Sequence, residues 1–336
     1  MKIVVTGASG FFGVSLVSRL VSLGHDVTTF GRSPAVAPQL KHLNVAHLRG
    51  DVEEPASLPA MFADCDVLFH MAGLVSYRRA DRDKLYKVNV DGTRNVMQAA
   101  LSAKRTPRII HLASIAGMGI PPEGEIGDES LAYNLDGLSL FYCDTKHEGE
   151  MIVLDMARQQ GLPVISLNPG ITFGEGDTHP HHHTIFASMA RGVLLGYPVG
   201  GVMFSDIRDI VDTSINAMTM GRFGERYVVG SANMTFRDAS FVLSQVIGSK
   251  PPPFPIPGWV ALSAGSACEA VLPLFGRKPP LTRAVSWLSQ RKIFFSSDKA
   301  IKELGHKQTP FEETVRRTAP YYLQSSGKAI AASHGH

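Results

Sequence analysis

Six short apolar runs punctuate the first half of the chain: KIVVTG (2–7), DVTTFG (26–31), NVAHLRG (44–50), DVLFHMAG (66–73), RIIHLAS (108–114) and PVISLNPG (163–170). Their apolar stretches are nearly continuous rather than alternating, as in strands covered on both faces. Between them the apolar positions fall at helical spacing. FGVSLVSRLVSLGH (12–25) places Val14, Val17, Leu20 and Val21 on one side, and DKLYKVNVDGTRNVMQAALSA (83–103) reads as one long amphipathic helix. A further helix is expected over 140–160. Strands alternating with helices predict right-handed crossovers and an α/β, parallel, doubly wound sheet.

After Gly170 the pattern loosens. GEGDTHPHHHT (174–184) reads as a loop, 184–192 as a helix and RYVVG (226–230) as a strand, before the proline-rich breaker PPPFPIPG (251–258). The end reads as two helices, SSDKAIKELG and FEETVRRTAPYYL. The expected organisation is a nucleotide-binding domain over 1–173, to which 206–230 returns. A smaller substrate-binding lobe takes 174–205 and 231–325, and 326–336 forms a loose polar tail.

Composition changes this picture little. The 336 residues are 44% hydrophobic and 19% charged, with a net charge of +3, which gives no electrostatic case for nucleic acid. The odd, scattered cysteines Cys65, Cys143 and Cys268 argue against a disulfide framework or a cysteine metal site. The N-terminus lacks a secretory pattern, so a cytoplasmic setting is expected. WVALSAGSACEAVLPLF (259–275) is short for a membrane span and carries Glu269 and Pro273. It reads as a buried or half-buried helix, with a substrate wall or a peripheral membrane contact as the lesser readings.

The first strand runs into TGASGFFG (6–13), and a helix follows. Gly7 allows a tight turn, Gly10 lets the backbone approach a pyrophosphate, and Gly13 lets the helix pack closely on the strand. The helix N-terminus offers N–H groups and a positive dipole end to phosphates. This context, after a strand and opening an amphipathic helix, makes the sheet a Rossmann-type, dinucleotide-binding one. The second strand ends in FGRS (30–33). An acidic residue there would hold the ribose 2′-hydroxyl of NAD. Arg32 instead suits a 2′-phosphate, hence NADP, with NAD as the alternative.

In FYCDTKHEGE (141–150), Tyr142 and Lys146 are four apart and share a helix face. A free phenol, with a pKa near ~10, is a poor acid at neutral pH. An ammonium beside it is expected to lower that value. Such a phenol can protonate a ketone oxygen as hydride arrives, or deprotonate an alcohol as hydride leaves. Lys146 can also hold the nicotinamide ribose. Ser114, at the end of the fifth strand, can present a second hydroxyl to the substrate oxygen.

Taken in order, TGASGFFG, GDV (50–52), HMAG (70–73), NVDGT (89–93), the serine of LASIAG, YCDTK, NPGITFGEGD (168–177) and SSDKAIKELGHKQTPFEETV span nearly the whole chain. On these motifs the chain resembles the extended short-chain dehydrogenase/reductase family, in its dihydroflavonol-reductase and 3β-hydroxysteroid-dehydrogenase-like branch. The resemblance implies a catalytic group of Ser114, Tyr142 and Lys146, the last two also touching the cofactor. It implies cofactor contacts at Gly7, Gly10, Phe11, Phe12 and Gly13, adenine contacts at Asp51 and Val52, a nicotinamide-side wall at Ala72 and Gly73, and contacts from Pro169 to Ile171. Asn89 takes a structural or proton-relay position. A homodimer through the two long helices is a habit of the family.

Ser114 is followed by Ile115 and Ala116 rather than the Asp–Glu pair of the family's dehydratases. VMFSDIRD (202–209) has Val202 where its nucleotide-sugar epimerases carry a diphosphate-gripping arginine. The leading expectation is therefore NADP(H)-dependent interconversion of a ketone and a secondary alcohol on a bulky, largely apolar small molecule. The rivals are an NAD-dependent sugar epimerase and a non-catalytic nucleotide sensor. The histidines of THPHHHT (178–184) are read as a polar loop without a metal. His70 and His111 are read as satisfied core histidines, and Arg78, Arg79 and Arg82 as a solvated face.

Overall fold

A computed structural model describes residues 1–177 and 180–324. The tail expected at 326–336, and Thr178 and His179 of the histidine stretch, lie outside the described residues. The first part of the chain runs β1 (Lys2–Thr6), α1 (Phe11–Ser22), β2 (Asp26–Gly31), β3 (Ala46–Arg49), β4 (Val67–His70), α2 (Arg82–Leu85), α3 (Gly92–Leu101), β5 (Arg108–Leu112), α4 (Phe141–Gln160) and β6 (Val164–Pro169). It continues through β7 (Ile171–Phe173), α5 (Pro180–Ala190), β8 (Gly196–Pro198), β9 (Gly201–Asp206), α6 (Ile207–Asn216), β10 (Arg226–Val229), β11 (Ala232–Thr235) and α7 (Phe236–Ile247). Last come β12 (Phe254–Ile256), α8 (Gly258–Val271), α9 (Arg283–Leu288), β13 (Lys292–Ile293), α10 (Asp298–Leu304) and α11 (Phe311–Gln324).

Seven strands form one parallel sheet in the order β10-β6-β5-β4-β1-β2-β3. This is a doubly wound Rossmann-type sheet, and the strand order reverses direction between β1 and β4. Both faces are covered. Leu16, Val17 and Leu20 of α1 join Ile3, Val5, Phe69 and Ile110 on one face, while Val96 and Met97 of α3 and Val153 of α4 meet Val4, Leu68 and Ile109 on the other. That is why the apolar runs are continuous: successive side chains point to opposite faces, and both are core.

One rung of the sheet breaks the apolar rule. Thr6, His70, His111, Ser166 and Arg226 are consecutive register partners across β1, β4, β5, β6 and β10. The α4 carboxylate of Glu150, fully buried, accepts from Ser166 Oγ at 2.7 Å and lies 3.6 Å from the Arg226 guanidinium.

The smaller sheet is built around β9. β11 pairs antiparallel with one edge, and β13 and β7 pair parallel with the other. Its core is aromatic: the Phe173 ring lies 5.9 Å from those of Phe186, Phe204, Phe311 and Tyr322. Asp206, fully buried at the end of β9, caps α6 by accepting from Arg208 N at 2.8 Å. The same carboxylate receives two bonds from Arg317 of α11, at 2.8 and 2.7 Å, and one from Thr314 at 2.7 Å.

Three expectations need correction. The helix read over 83–103 is α2, a wider π-type turn over Tyr86–Asp91, then α3. Asn89 sits in that turn with its side chain drawn to Leu74 and Thr145. A π-turn of this kind often marks a functional site. The stretch read as a loop to 184 enters helix α5 at Pro180. There His182 Nδ1 meets the Asp177 carboxylate at 2.5 Å, and His183 Nε2 lies 2.7 Å from the Asp177 carbonyl oxygen. The 259–275 segment is a helix, but not a buried one: Gly265 is the one buried residue between Gly258 and Phe275.

Candidate active site

The glycine turn between β1 and α1 is shaped by close approaches. Gly7 has φ +70°, and a Cβ there would lie 2.6 Å from the Met71 carbonyl carbon. A Cβ on Gly13 would stand 2.3 Å from Gly7 O, so only glycine lets α1 pack this close. Gly10 differs, since a Cβ on it would meet only Gly7 O, at 3.3 Å. It is the N-cap of α1, gives the helix no side-chain cap, and no acid occupies the first turn. An uncapped N-terminus with open space before it fits a pyrophosphate. Phe11 turns into the core beneath the sheet, and its ring meets that of Phe12 at 5.4 Å.

The remaining cofactor candidates lie along the same carboxyl edge. Thr6 Oγ1 accepts from Met71 N and Ala72 N, both at 3.2 Å, which fastens the loop after β4 to β1. Arg32, just past β2, is largely exposed, with Nε 4.0 Å from the Asp51 carboxylate. Val52 is buried against Gly92, and its carbonyl accepts from the Asn95 amide at 3.0 Å. Pro169 ends β6 and Ile171 begins β7; Gly170 between them donates to Ser205 Oγ at 3.1 Å.

Ser114 follows β5 and caps a short 3₁₀ turn, its Oγ accepting from Ala116 N at 3.2 Å. Its hydroxyl stands near enough to the Tyr142 phenol to act on its acidity. Tyr142 and Lys146 project from the first half of α4. Lys146 Nζ donates to Leu112 O at 2.9 Å. A Cβ on Gly73 would lie 3.4 Å from Asn89 Oδ1 and 4.0 Å from Lys146 Nζ, so the β4 loop, the π-turn and α4 converge here.

The electrostatics differ from expectation in one respect. Burial pushes the Tyr142 phenol up to about 12, and the nearby Ser114 hydroxyl is what opposes it. Lys146 is itself desolvated, which pulls its ammonium down to about 8 against the raising effect of Glu150. Its charge is spent on the Leu112 carbonyl rather than on the phenol. The predicted lowering of the phenol pKa by Lys146 is therefore absent in this structure, and desolvation raises the phenol instead.

Below the site, His70 Nδ1 is bound to Thr6 Oγ1 at 2.9 Å and Nε2 to Thr93 Oγ1 at 3.3 Å. Because Thr6 Oγ1 already accepts two amides, its own proton goes to Nδ1, which fixes Nε2 as the protonated nitrogen. His70 matches its reading as a satisfied core histidine. His111, stacked on it at 5.4 Å, does not: its Nδ1 is buried without a hydrogen bond. Of the three arginines read as a solvated face, Arg78 is bidentate to Asp81, and Arg82 lies over the Tyr86 and Phe141 rings.

The substrate side was not visible in the sequence. The Tyr77 ring meets that of Tyr142 at 5.1 Å, edge to face. A cleft opens from there, lined by Tyr77, Leu138, Leu140, Ala284 and Trp287, with Arg79, Arg283 and Glu269 at its edge. These residues come from four separate segments, and the sequence touches on them only where 259–275, which holds Glu269, allows a substrate wall.

Known proteins resemble this chain over most of its length. The profile of the NAD dependent epimerase/dehydratase family matches residues 3–230. A Synechocystis protein that bears a dihydroflavonol 4-reductase name is 29% identical over 328 residues, covering 96% of this chain and 94% of its own. The 4-hydroxy-2-methyl-3-oxo-4-farnesyl-3,4-dihydroquinoline-1-oxide ketoreductase of Stigmatella aurantiaca is 30% identical, covering 91% of this chain and 92% of its own. Among solved structures, gox2253 superposes with a TM-score of 0.82 at 29% identity, covering 96% of this chain and 98% of its own. The protein is an NAD(P)-dependent oxidoreductase on a Rossmann-type sheet. It belongs to the NAD-dependent epimerase/dehydratase family, the extended short-chain dehydrogenase/reductases.

Proposed function

We propose that the protein interconverts a ketone and a secondary alcohol on a bulky, largely apolar small molecule, with NADP(H) as the hydride carrier. The observation that supports this reading most is the buried Tyr142 phenol in edge contact with Tyr77, which lines a cleft together with Leu140 and Trp287. The bound nicotinamide supplies or accepts the hydride. Tyr142 delivers its phenolic proton to the nascent alkoxide in the reducing direction and takes it back in the other. Ser114 holds the substrate oxygen beside that phenol. Lys146, next to Gly73, holds the nicotinamide ribose.

The cofactor choice rests on Arg32. Its exposed guanidinium can swing from Asp51 to a 2′-phosphate at small cost, because an exposed ion pair contributes little. The apolar substrate class draws support from Val202, buried in β9 where the family's nucleotide-sugar epimerases carry a diphosphate-gripping arginine. The Stigmatella relative is named for reduction of a farnesyl-bearing ketone. The unpaired thiols of Cys65, Cys143 and Cys268 support a reducing, cytoplasmic setting. The dimer through α3 and α4 rests on family habit.

The test is cofactor identity and exchange. The purified protein is denatured, any released nucleotide identified, and NADPH and NADH titrated into emptied protein by fluorescence. We expect free exchange, tighter NADPH binding, and an NADPH affinity about 10–100-fold weaker in Arg32→Ala, as loss of a charged hydrogen bond predicts. NAD that survives purification would overturn this reading in favour of an epimerase.

A further inference from the structure

The helix α8 and the turn after it form a surface that the reaction does not use. Trp259 is 73% exposed, Leu274 80% and Phe275 73%. Counting along the helix, Trp259, Ser263, Ala267, Ala270 and Val271 share one exposed stripe without a charge. The stripe continues past Pro257 into β12. Phe254 is 68% exposed, and beside its register partner Gly196 stands Leu195, 83% exposed.

The opposite face of α8 is fixed. Gly265 lies so close to α9 that a Cβ would stand 2.3 Å from Ser286 Oγ. Glu269, the only acid between Lys250 and Arg283, turns inward. Its carboxylate accepts from Arg79 N at 3.5 Å and Arg283 N at 3.2 Å, at the edge of the substrate cleft. Using its one acid inward leaves a neutral outer stripe with bases at both ends: Lys250 before it, Arg277 and Lys278 after it.

We propose that the α8 stripe is a membrane-surface anchor that lies in the headgroup layer of an anionic phospholipid bilayer and sets the mouth of the cleft against the lipid. The charge pattern selects this occupant. A second copy on the same stripe would oppose cation to cation at its ends in either orientation, whereas anionic headgroups satisfy both ends at once. The helix lies on the bilayer rather than spanning it. With the turn that follows, Gly258–Phe275 is long and apolar enough to cross by length alone, but its inner face is locked to α9, where a Cβ on Gly265 would stand 2.3 Å from Ser286 Oγ. An apolar stripe with an end tryptophan and flanking bases is the pattern of an interfacial helix. The Glu269 clasp ties this helix to the cleft edge, so an apolar substrate dissolved in the membrane would enter without crossing bulk water.

The full chain is sedimented with vesicles of phosphatidylcholine alone and of equimolar phosphatidylcholine and phosphatidylglycerol. Two double variants are compared: Leu274→Ser with Phe275→Ser, and Arg277→Glu with Lys278→Glu. The wild-type protein should sediment with the mixed vesicles, less so as salt rises. Each double variant should lose at least about tenfold in binding, since each flanking base contributes about fivefold and each apolar side chain at least as much. Melting temperature and cofactor affinity should not change, because both pairs lie outside the active site. Wild-type protein that stays in the supernatant, or variants that sediment as well as it does, would overturn the proposal. So would a dimer in light scattering that the same variants dissolve without any vesicle binding. These readouts use no ketone and no turnover, so they stand apart from the reductase reading.

Discussion

The Tyr77 ring stands edge-on to the Tyr142 ring, with centroids 5.1 Å apart. The phenol proposed as the acid is thus positioned from two sides. α4 sets its height above the sheet, and the loop after β4 sets its tilt. The same loop carries Ala72 and Gly73, the residues proposed as the nicotinamide-side wall, so ring position and that wall share one segment.

Tyr142→Phe should leave the edge-on contact intact while removing the proton. Turnover should fall by about 10²–10⁴, the usual worth of a positioned acid, with cofactor affinity within about twofold of wild type. Tyr77→Ala should act differently, by loosening the ring. Its loss should be smaller and should appear in KM as well as kcat. Steady-state kinetics on an accepted ketone separates the two, and equal turnover in Tyr142→Phe and wild type would remove Tyr142 from the mechanism.

The buried His70–His111 pair predicts acid sensitivity. Burial, aided by the Lys146 charge, pulls His70 down to about 3, and His111 lies well below its usual value. An unfolded histidine titrates near ~6.5, so below that pH the unfolded chain binds more protons than the folded one. This stability is complete above about 6.5 and is lost as pH falls towards 3. For His70 it amounts to about 5 kcal/mol over the whole window, as an order of magnitude. Urea unfolding at a series of pH values should show the slope, and His70→Gln should flatten it.

At the alkaline end the thiols dominate. Burial raises Cys65 and Cys143 to about 12 each. Their neutral form stabilises the fold fully below about pH 9, and the effect is lost as pH rises towards 12, about 4 kcal/mol per thiol. Lys146 works the other way. Its folded value of about 8 lies below the unfolded one, so its contribution grows between pH 8 and 10.5, by roughly 3 kcal/mol. Two thiols outweigh one ammonium, and net stability should decline above pH 9. In Cys65→Ala with Cys143→Ala the decline should shrink or reverse. An unchanged slope would mean that the thiols do not control alkaline stability.

Two glycines of one turn should fail in different ways. Gly7→Ala forces a Cβ to 2.6 Å from the Met71 carbonyl at φ +70°, and should lower the melting temperature in the absence of nucleotide. Gly10→Ala meets only Gly7 O at 3.3 Å, so the fold should hold while nucleotide affinity drops at least about tenfold, because the methyl takes pyrophosphate space. Calorimetry with and without nucleotide reads both. Tight nucleotide binding by Gly10→Ala would refute the placement of the phosphates.

Local chemistry in the chain carried the sheet and the centre of the site. Continuous runs such as KIVVT gave the doubly covered strands, and the four-residue step from Tyr142 to Lys146 needed only one helix to become a shared face. What stayed hidden depended on distant partners. Nothing near Tyr77 announces that it will meet Tyr142, or that Glu269 will hold the amides of Arg79 and Arg283. The polar rung from Thr6 to Arg226 exists only once five strands are in register. For α8 the half-buried alternative is the one the fold takes: an apolar composition suggests burial, but only the face that holds Gly265 is covered. The phenol pKa was misjudged because a neighbouring charge can be counted from spacing, while desolvation cannot.

The carboxylate of Asp206 waits a long time for its counter-charge. Arg317 and Thr314 lie 111 and 108 residues further along the chain, so during synthesis β9 leaves the ribosome well before either. Until α11 arrives, the acid lacks the partners that let it be buried, and its hydration holds the centre of the smaller sheet open. The lobe therefore cannot close around Asp206 before α11 is made. A chain that stops short of Arg317 would lose the closing charge of the whole lobe as well as its final helix, and would be exposed to proteases as a half-assembled product.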